Sequence, residues 1–146
     1  MVGTGYKGTG TTALVLMDGR QTPVGTLITA ANEHEVKHLE RLVHSAVVPI
    51  QHECRLLYDA AADSDELRDR LWLEGITLIA PSRKHRTKGT RQDGRKLRCL
   101  RHRWKIERTN AWLKSYGRIR HRKDHNATLF LGWLQLACLF TILKRF

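Results

Sequence analysis

Acidic residues are in short supply in this chain: 14 Asp and Glu stand against 26 Lys and Arg, a net charge of +12. That imbalance makes polyanions the natural partners, DNA or RNA first and an acidic membrane surface second. Cysteine is scarce as well. Cys54, Cys99 and Cys138 lie far apart and odd in number, with no CxxC pair, which argues against a disulfide framework, a zinc ribbon or a dithiol redox centre and suits a reduced, cytoplasmic setting. A secretory leader is not visible, since no charged start is followed by an apolar run and a small-residue cleavage site. Nor is there a membrane-spanning run. The longest apolar stretch, 129–143, is interrupted by Gly132, Gln135 and Thr141 and falls short of the roughly 20 residues a bilayer needs. It reads as a buried helix.

What is present suits one domain or most of one: 146 residues, 41% of them hydrophobic, enough for a packed core. Residues 1–12 are rich in Gly and Thr and read as a flexible lead-in to a body over 13–146. They include GTGYKG, a GxGxxG match, but that fingerprint needs a strand before it and a helix after it. Two short β-rich runs, 13–18 and 24–29, flank turn residues and predict a hairpin, with Asp18 serving the turn and not a metal. Val36, Leu39, Leu42, Val43 and Val47 then form a helical stripe that Pro49 ends. His34, Glu35 and His38 in that segment spell HExxH, the zinc-protease motif. Its longer form is not available: Arg41 replaces the required glycine, and on an unbroken helix His44 lies about 15 Å along the axis from His34.

The run 54–59 predicts a strand ending in Asp59. Asp63 and Glu66 have the spacing of a capping box for a helix over 64–74, which Gly75 closes, and 76–81 predicts another strand. Asp59 is thus left at the carboxyl end of a strand, the end that ligand sites in open α/β sheets favour. The segment 82–98 is a loop dense in Lys and Arg with Asp93 as its single acid, well placed to follow a phosphate backbone through Arg83, Lys84, Arg86 and Lys88. RIRHRKDH, 118–125, is a second basic turn before the closing helix, 127–144.

The chain's organising stretch is LRHRWKIERTNAWLK, 100–114. On a helix, Leu100, Arg103, Glu107 and Lys114 fall within an arc of roughly 60°. A carboxylate in a stripe of cations has two readings: an exposed ion pair contributing about 0.3–0.5 kcal/mol, or a metal ligand beside phosphate-binding cations.

Arginine, three residues, glutamate, six residues, lysine resembles the YREK signature of DDE transposases from bacterial insertion sequences, with Leu100 where the signature has tyrosine. YDAAADSDELRDRLWLEGI, from Tyr58, resembles the family segment that carries the second catalytic aspartate, which corresponds to Asp59. Ala60, Ala61 and Ala62 replace the basic residue, glycine and aromatic usual there. The resemblance extends from about Lys7 to Arg145.

It implies an α/β, ribonuclease H-like fold, a mixed sheet flanked by helices, and a catalytic set of two aspartates and a glutamate that binds two Mg²⁺ ions. By this analogy Asp59 and Glu107 are metal ligands, and Arg103 and Lys114 bind phosphates of double-stranded DNA at transposon ends. The family's first aspartate lies on a central strand before the hairpin, where this chain has no acid. The resemblance therefore implies the C-terminal portion of a transposase, truncated or one half of a frameshifted product, inactive alone and completed by self-association or fusion. A non-catalytic basic DNA-binding protein is the alternative that the charge supports.

Overall fold

In the computed structural model, which describes residues 3–5, 8–91 and 93–144, turn chemistry sets the first sheet. β1 (Gly3–Gly5) pairs antiparallel with the start of β2 (Gly8–Met17), and β2 pairs antiparallel with β3 (Pro23–Ala30), Ala13 lying opposite Ile28. The β2–β3 turn is built on Asp18, whose Oδ1 accepts the N–H groups of Arg20 and Thr22 at 2.8 Å each. Asp18 is thus a turn residue, as its sequence context predicts. Residues 8–12, read from the sequence as lead-in, belong to β2, and the glycine-rich GTGYKG run is followed by this strand and not by a helix.

The chain divides into two compact units, one of residues 1–48 and 105–146, the other of residues 49–104. In the first, a 3₁₀ turn (Glu35–His38) leads into α1 (Leu39–His44), which buries Leu39, Leu42 and Val43. Val47, assigned to that helical stripe by its spacing, is 85% exposed. The helix has ended by Ser45, and the Val47 N–H reaches back to the Val24 carbonyl at 2.8 Å.

The second unit is a β–α–β element: β4 (Cys54–Leu57), α2 (Asp65–Leu73) and β5 (Ile76–Ile79). The strands are parallel, Cys54 opposite Ile76 and Leu57 opposite Ile79, so the chain must cross over between them, and α2 is that crossover. Leu67 and Leu71 of α2 are buried, as are Ile76, Leu78, Ile79 and Ala80. The cap of α2 differs from the predicted box: Ser64 Oγ accepts the Leu67 N–H at 3.3 Å, and Asp63 is drawn into other bonds described below. Gly75 does close the helix, in the left-handed region at φ 75° with its N–H on the Trp72 carbonyl. A Cβ there would lie 2.7 Å from the His52 ring. Gly75→Ala is therefore expected to destabilise this unit by more than about 1 kcal/mol, read as a lowered urea midpoint at unchanged slope.

Past residue 91 the basic segment contains a short helix, α3 (Gly94–Leu97), capped by Asp93. A 3₁₀ stretch (Arg98–His102) follows, and α4 (Trp104–Ser115) begins where the first unit resumes. α5 (Gly117–Arg120) and α6 (Ala127–Leu143) complete that unit. Phe130 and Leu134 of α6 pack with Ile28 of β3, and Ala137 and Cys138 pack with Leu113 of α4. The sequence predicts a buried helix here, but α6 buries one face only. Leu129, Trp133, Leu136, Leu139, Phe140 and Leu143 are exposed, because the sheet and α4 reach only the opposite side.

Among the described residues the architecture is mixed α/β, with a three-stranded and a two-stranded sheet. No helix among the described residues is long and apolar enough to cross a membrane.

Candidate functional site

Asp59 is the first residue beyond the pairing of β4 with β5, which the Tyr58 N–H extends by a bond to the Ile79 carbonyl at 3.0 Å. The chain turns there into a 3₁₀ helix (Ala60–Ala62) that Asp59 caps, its Oδ1 accepting the Ala61 N–H at 2.8 Å. This role uses Oδ1 and fixes the direction of the carboxylate at the carboxyl end of a parallel strand.

The basic segment is tied to this turn by two of its arginines. Arg83 donates from Nε to the Ala60 carbonyl at 3.1 Å and from its terminal nitrogen to the Ala61 carbonyl, while its backbone N–H bonds Asp63 Oδ2 at 2.9 Å. Arg86 bonds Asp63 Oδ1 at 2.9 Å and both oxygens of Asp65 at 2.7 and 2.8 Å, and its Nε reaches the carbonyls of Lys88 and Gly89. Both arginines, predicted from the sequence as DNA contacts, hold the segment against residues 60–65. Lys84 and Lys88 are exposed.

Asp63 is the hub of these bonds. Its side chain is 2% exposed and also receives Arg68, whose guanidinium bonds the carbonyls of Leu78 and Ala80 at the end of β5. Burial pushes the Asp63 carboxyl up, but the Arg83 N–H, the guanidinium groups of Arg68 and Arg86 and the Arg86 charge outweigh it and hold the group below the usual carboxylate range. Spacing assigned this residue to a helix cap. No signal in the local sequence marks it as a hub, because its partners lie up to 23 positions away.

Glu107 lies in the first turn of α4, and Lys114, seven residues on, shares its side of the helix; both are exposed. Arg103 sits at the end of the 3₁₀ stretch, exposed, in αR geometry. Leu100 lies on 3₁₀ backbone, so the four-residue stripe predicted for one α-helix is α-helical only from Trp104 onward. α4 is anchored at its start by Lys105, whose Nζ donates to the Gly19 carbonyl at 2.7 Å in the β2–β3 turn, and along its length by buried Thr109 and Leu113. Asp59 belongs to the second unit and Glu107 to the first.

The HExxH segment does not present its residues on an α-helix. Glu35 and His38 lie on a 3₁₀ turn that His34 precedes, and His38 pairs with Glu33 at 3.0 Å. Among the described residues no group of three His, Cys, Asp or Glu is arranged to hold a metal ion.

Residues 3–142 match the family described as Transposase DDE domain. Over 133 residues the chain is 30% identical to a candidate transposase for insertion sequence element IS402 of Burkholderia cepacia. That alignment takes in 85% of this chain and 58% of the relative, so the chain spans less than two thirds of its length. No solved structure gives a significant match.

Proposed function

The chain belongs to the transposase DDE-domain family of insertion sequences, and from that premise we propose that it is the part of a transposase that carries the second catalytic aspartate, Asp59, and the catalytic glutamate, Glu107. The reading takes the fold as ribonuclease H-like. The observation that carries it is Asp59 itself: a carboxylate directed by its own capping bond at the carboxyl end of a parallel strand, where ligands of α/β sheets bind.

The donors suit Mg²⁺ in kind and fall short in number. Carboxylate oxygens are the hard ligands that Mg²⁺ selects, but no three-residue metal group exists among the described residues. When bound, a pair of such ions activates an attacking hydroxyl and stabilises the leaving oxygen in DNA strand cleavage and strand transfer. Asp59 and Glu107 would contribute oxygens to the ions. Arg103, Lys114, Lys84 and Lys88 would hold phosphates of double-stranded DNA at transposon ends, Arg103 by the bidentate geometry that lysine lacks. Arg83 and Arg86 act one step back, by holding the basic segment against the Asp59 turn.

With the ligand set incomplete, the 146-residue chain by itself is expected not to cut DNA. The check is incubation of the purified chain with supercoiled plasmid in Mg²⁺. Nicking that disappears in Glu107→Gln would overturn this expectation. Asp59→Asn keeps an oxygen for the cap while removing the charge, so a loss of Mn²⁺ binding in that variant, read by calorimetry with the fold intact, would support the metal role directly. A second reading, a non-catalytic basic DNA-binding protein, draws on the +12 charge. It requires DNA affinity in Mg²⁺ to survive replacement of both Asp59 and Glu107 by Ala.

A further inference from the structure

The basic segment holds a third arginine that pairs with α2, and this pair is open to solvent. Arg91 donates to both oxygens of Asp69, at 3.0 and 2.8 Å, in the forked geometry that a guanidinium offers a carboxylate. These bonds outweigh the partial burial of the Asp69 carboxyl and, with the Arg91 charge, hold it below the usual carboxylate range. The side chains are nevertheless 51% exposed at Arg91 and 59% at Asp69. Water and salt reach the pair, and an ion pair in that setting holds weakly.

Arg86 is the contrast. It is 12% exposed and joins Asp63 to Asp65, so pulling it away would strand buried charge. Its Nε also holds the carbonyls of Lys88 and Gly89, and the hydroxyls of Ser82 and Thr90 meet at 3.0 Å. The segment is thus fastened up to the residue before Arg91. Arg91 can leave Asp69 by turning its own side chain while the segment stays in place, and the like charge of Arg86 acts against it where it stands.

We infer that Arg91 is a further contact to the DNA backbone and that Asp69 holds it in the free chain, a carboxylate standing where a phosphate binds. The inference rests on the DNA-binding reading proposed above. A guanidinium fork takes two oxygens of a carboxylate or of a phosphodiester in the same way, so Arg91 exchanges one pair of charge-assisted bonds for another. The phosphate contact also frees counterions condensed on the duplex, a gain that Asp69 does not offer. Asp69 is left at the surface, where water solvates it and no buried charge is stranded. The pair therefore acts as an internal brake: affinity for DNA is lower than the exposed cations alone would give, by the cost of opening it.

The test is the affinity of the whole chain for a fluorescent duplex of about 30 base pairs, read by anisotropy between about 0.05 and 0.3 M salt. Asp69→Asn is expected to bind about two- to fivefold more tightly, the scale of an exposed ion pair. Arg91→Gln is expected to bind at least about threefold more weakly, with the slope of log affinity against log salt reduced by about 0.9. Glu66→Gln is the control for net charge, since it removes one carboxylate from the same helix and opens another exposed pair, that with Arg70 at 2.6 Å. It should gain less than Asp69→Asn. In the Arg91→Gln background, Asp69→Asn should add no more than Glu66→Gln does. A purely structural pair would instead lower the melting transition in both variants and leave affinity at the control level. Should Asp69→Asn unfold, Asp69→Ser takes its place with the same expected direction. A chain that binds the duplex while Asp69→Asn only matches Glu66→Gln, or gains equally without Arg91, would overturn this inference and leave the DNA-binding reading standing. An unaltered chain that does not bind the duplex at any of these salt concentrations would overturn both.

Discussion

Asp63→Ala is expected to lower the stability of the unit formed by residues 49–104 by about 3–5 kcal/mol, because it removes the shared acceptor of a buried network and leaves cations behind. The carboxylate receives Arg68, Arg86 and the Arg83 N–H, and its side chain is 2% exposed. Whole domains hold only about 5–15 kcal/mol, so a loss of this size takes a large part of the margin. Chemical denaturation is the measurement, with Asp65→Ala as the contrast: Asp65 is more open, and its loss leaves Arg86 its bond to Asp63. A destabilisation no larger than that of Asp65→Ala would contradict the hub. Replacing Asp63, Arg68 and Arg86 together by apolar residues of similar volume should cost less than Asp63→Ala alone, since the one carboxylate that then loses its partner, Asp65, is 25% exposed and not fully buried.

The same group makes stability depend on pH in a definite direction. Its folded-state carboxyl is held below the ordinary value, so the unfolded chain takes up a proton first. The stabilisation is complete above the unfolded carboxylate range near pH 4 and is lost as pH falls through the lower, folded value. Unfolding midpoints should therefore be level in the neutral range and drop below about pH 4, and the part of that drop due to Asp63 should vanish in Asp63→Asn.

The second large effect is expected in DNA affinity. Replacing Lys84, Lys88, Arg103 and Lys114 by Gln should reduce the slope of log affinity against log salt by about 0.9 for each phosphate contact removed, roughly 3.6 in all. At about 0.1 M salt that amounts to a loss on the order of 10³-fold. The four are exposed on the basic segment, at the end of the 3₁₀ stretch and on α4. Arg83→Gln and Arg86→Gln act differently, because these side chains hold carbonyls and carboxylates within the unit. Each should lower stability with little change in the salt slope. Nitrocellulose retention of a duplex at four salt concentrations separates the two classes, and equal slope changes in both would refute the division.

Much of the local structure was legible from residue types and spacing. Asp18 between two β-rich runs made a turn because a short carboxylate bonds the N–H groups just ahead of it. Gly75 ended α2 because only a residue without Cβ takes φ 75° freely. The cationic density of 82–98 is likewise written in the chain. Such features depend on neighbours within a turn or two of helix.

Tertiary structure decided which member of each chemical class does what. Asp59 and Asp63 are four positions apart. One caps a surface turn while the other lies buried under the guanidinium groups of Arg68 and Arg86 and the backbone N–H of Arg83. Charge density could not divide Arg83 and Arg86 from Lys84 and Lys88, since the division depends on which side chain meets a carbonyl or carboxylate once β4, α2 and β5 have packed. Nor could hydropathy tell the buried face of α6 from the exposed one, because both are apolar. The packing of β3 and α4 against Phe130, Leu134 and Ala137 chooses between them. Periodicity reports what a residue can bury, whereas contacts across the fold determine what it does bury.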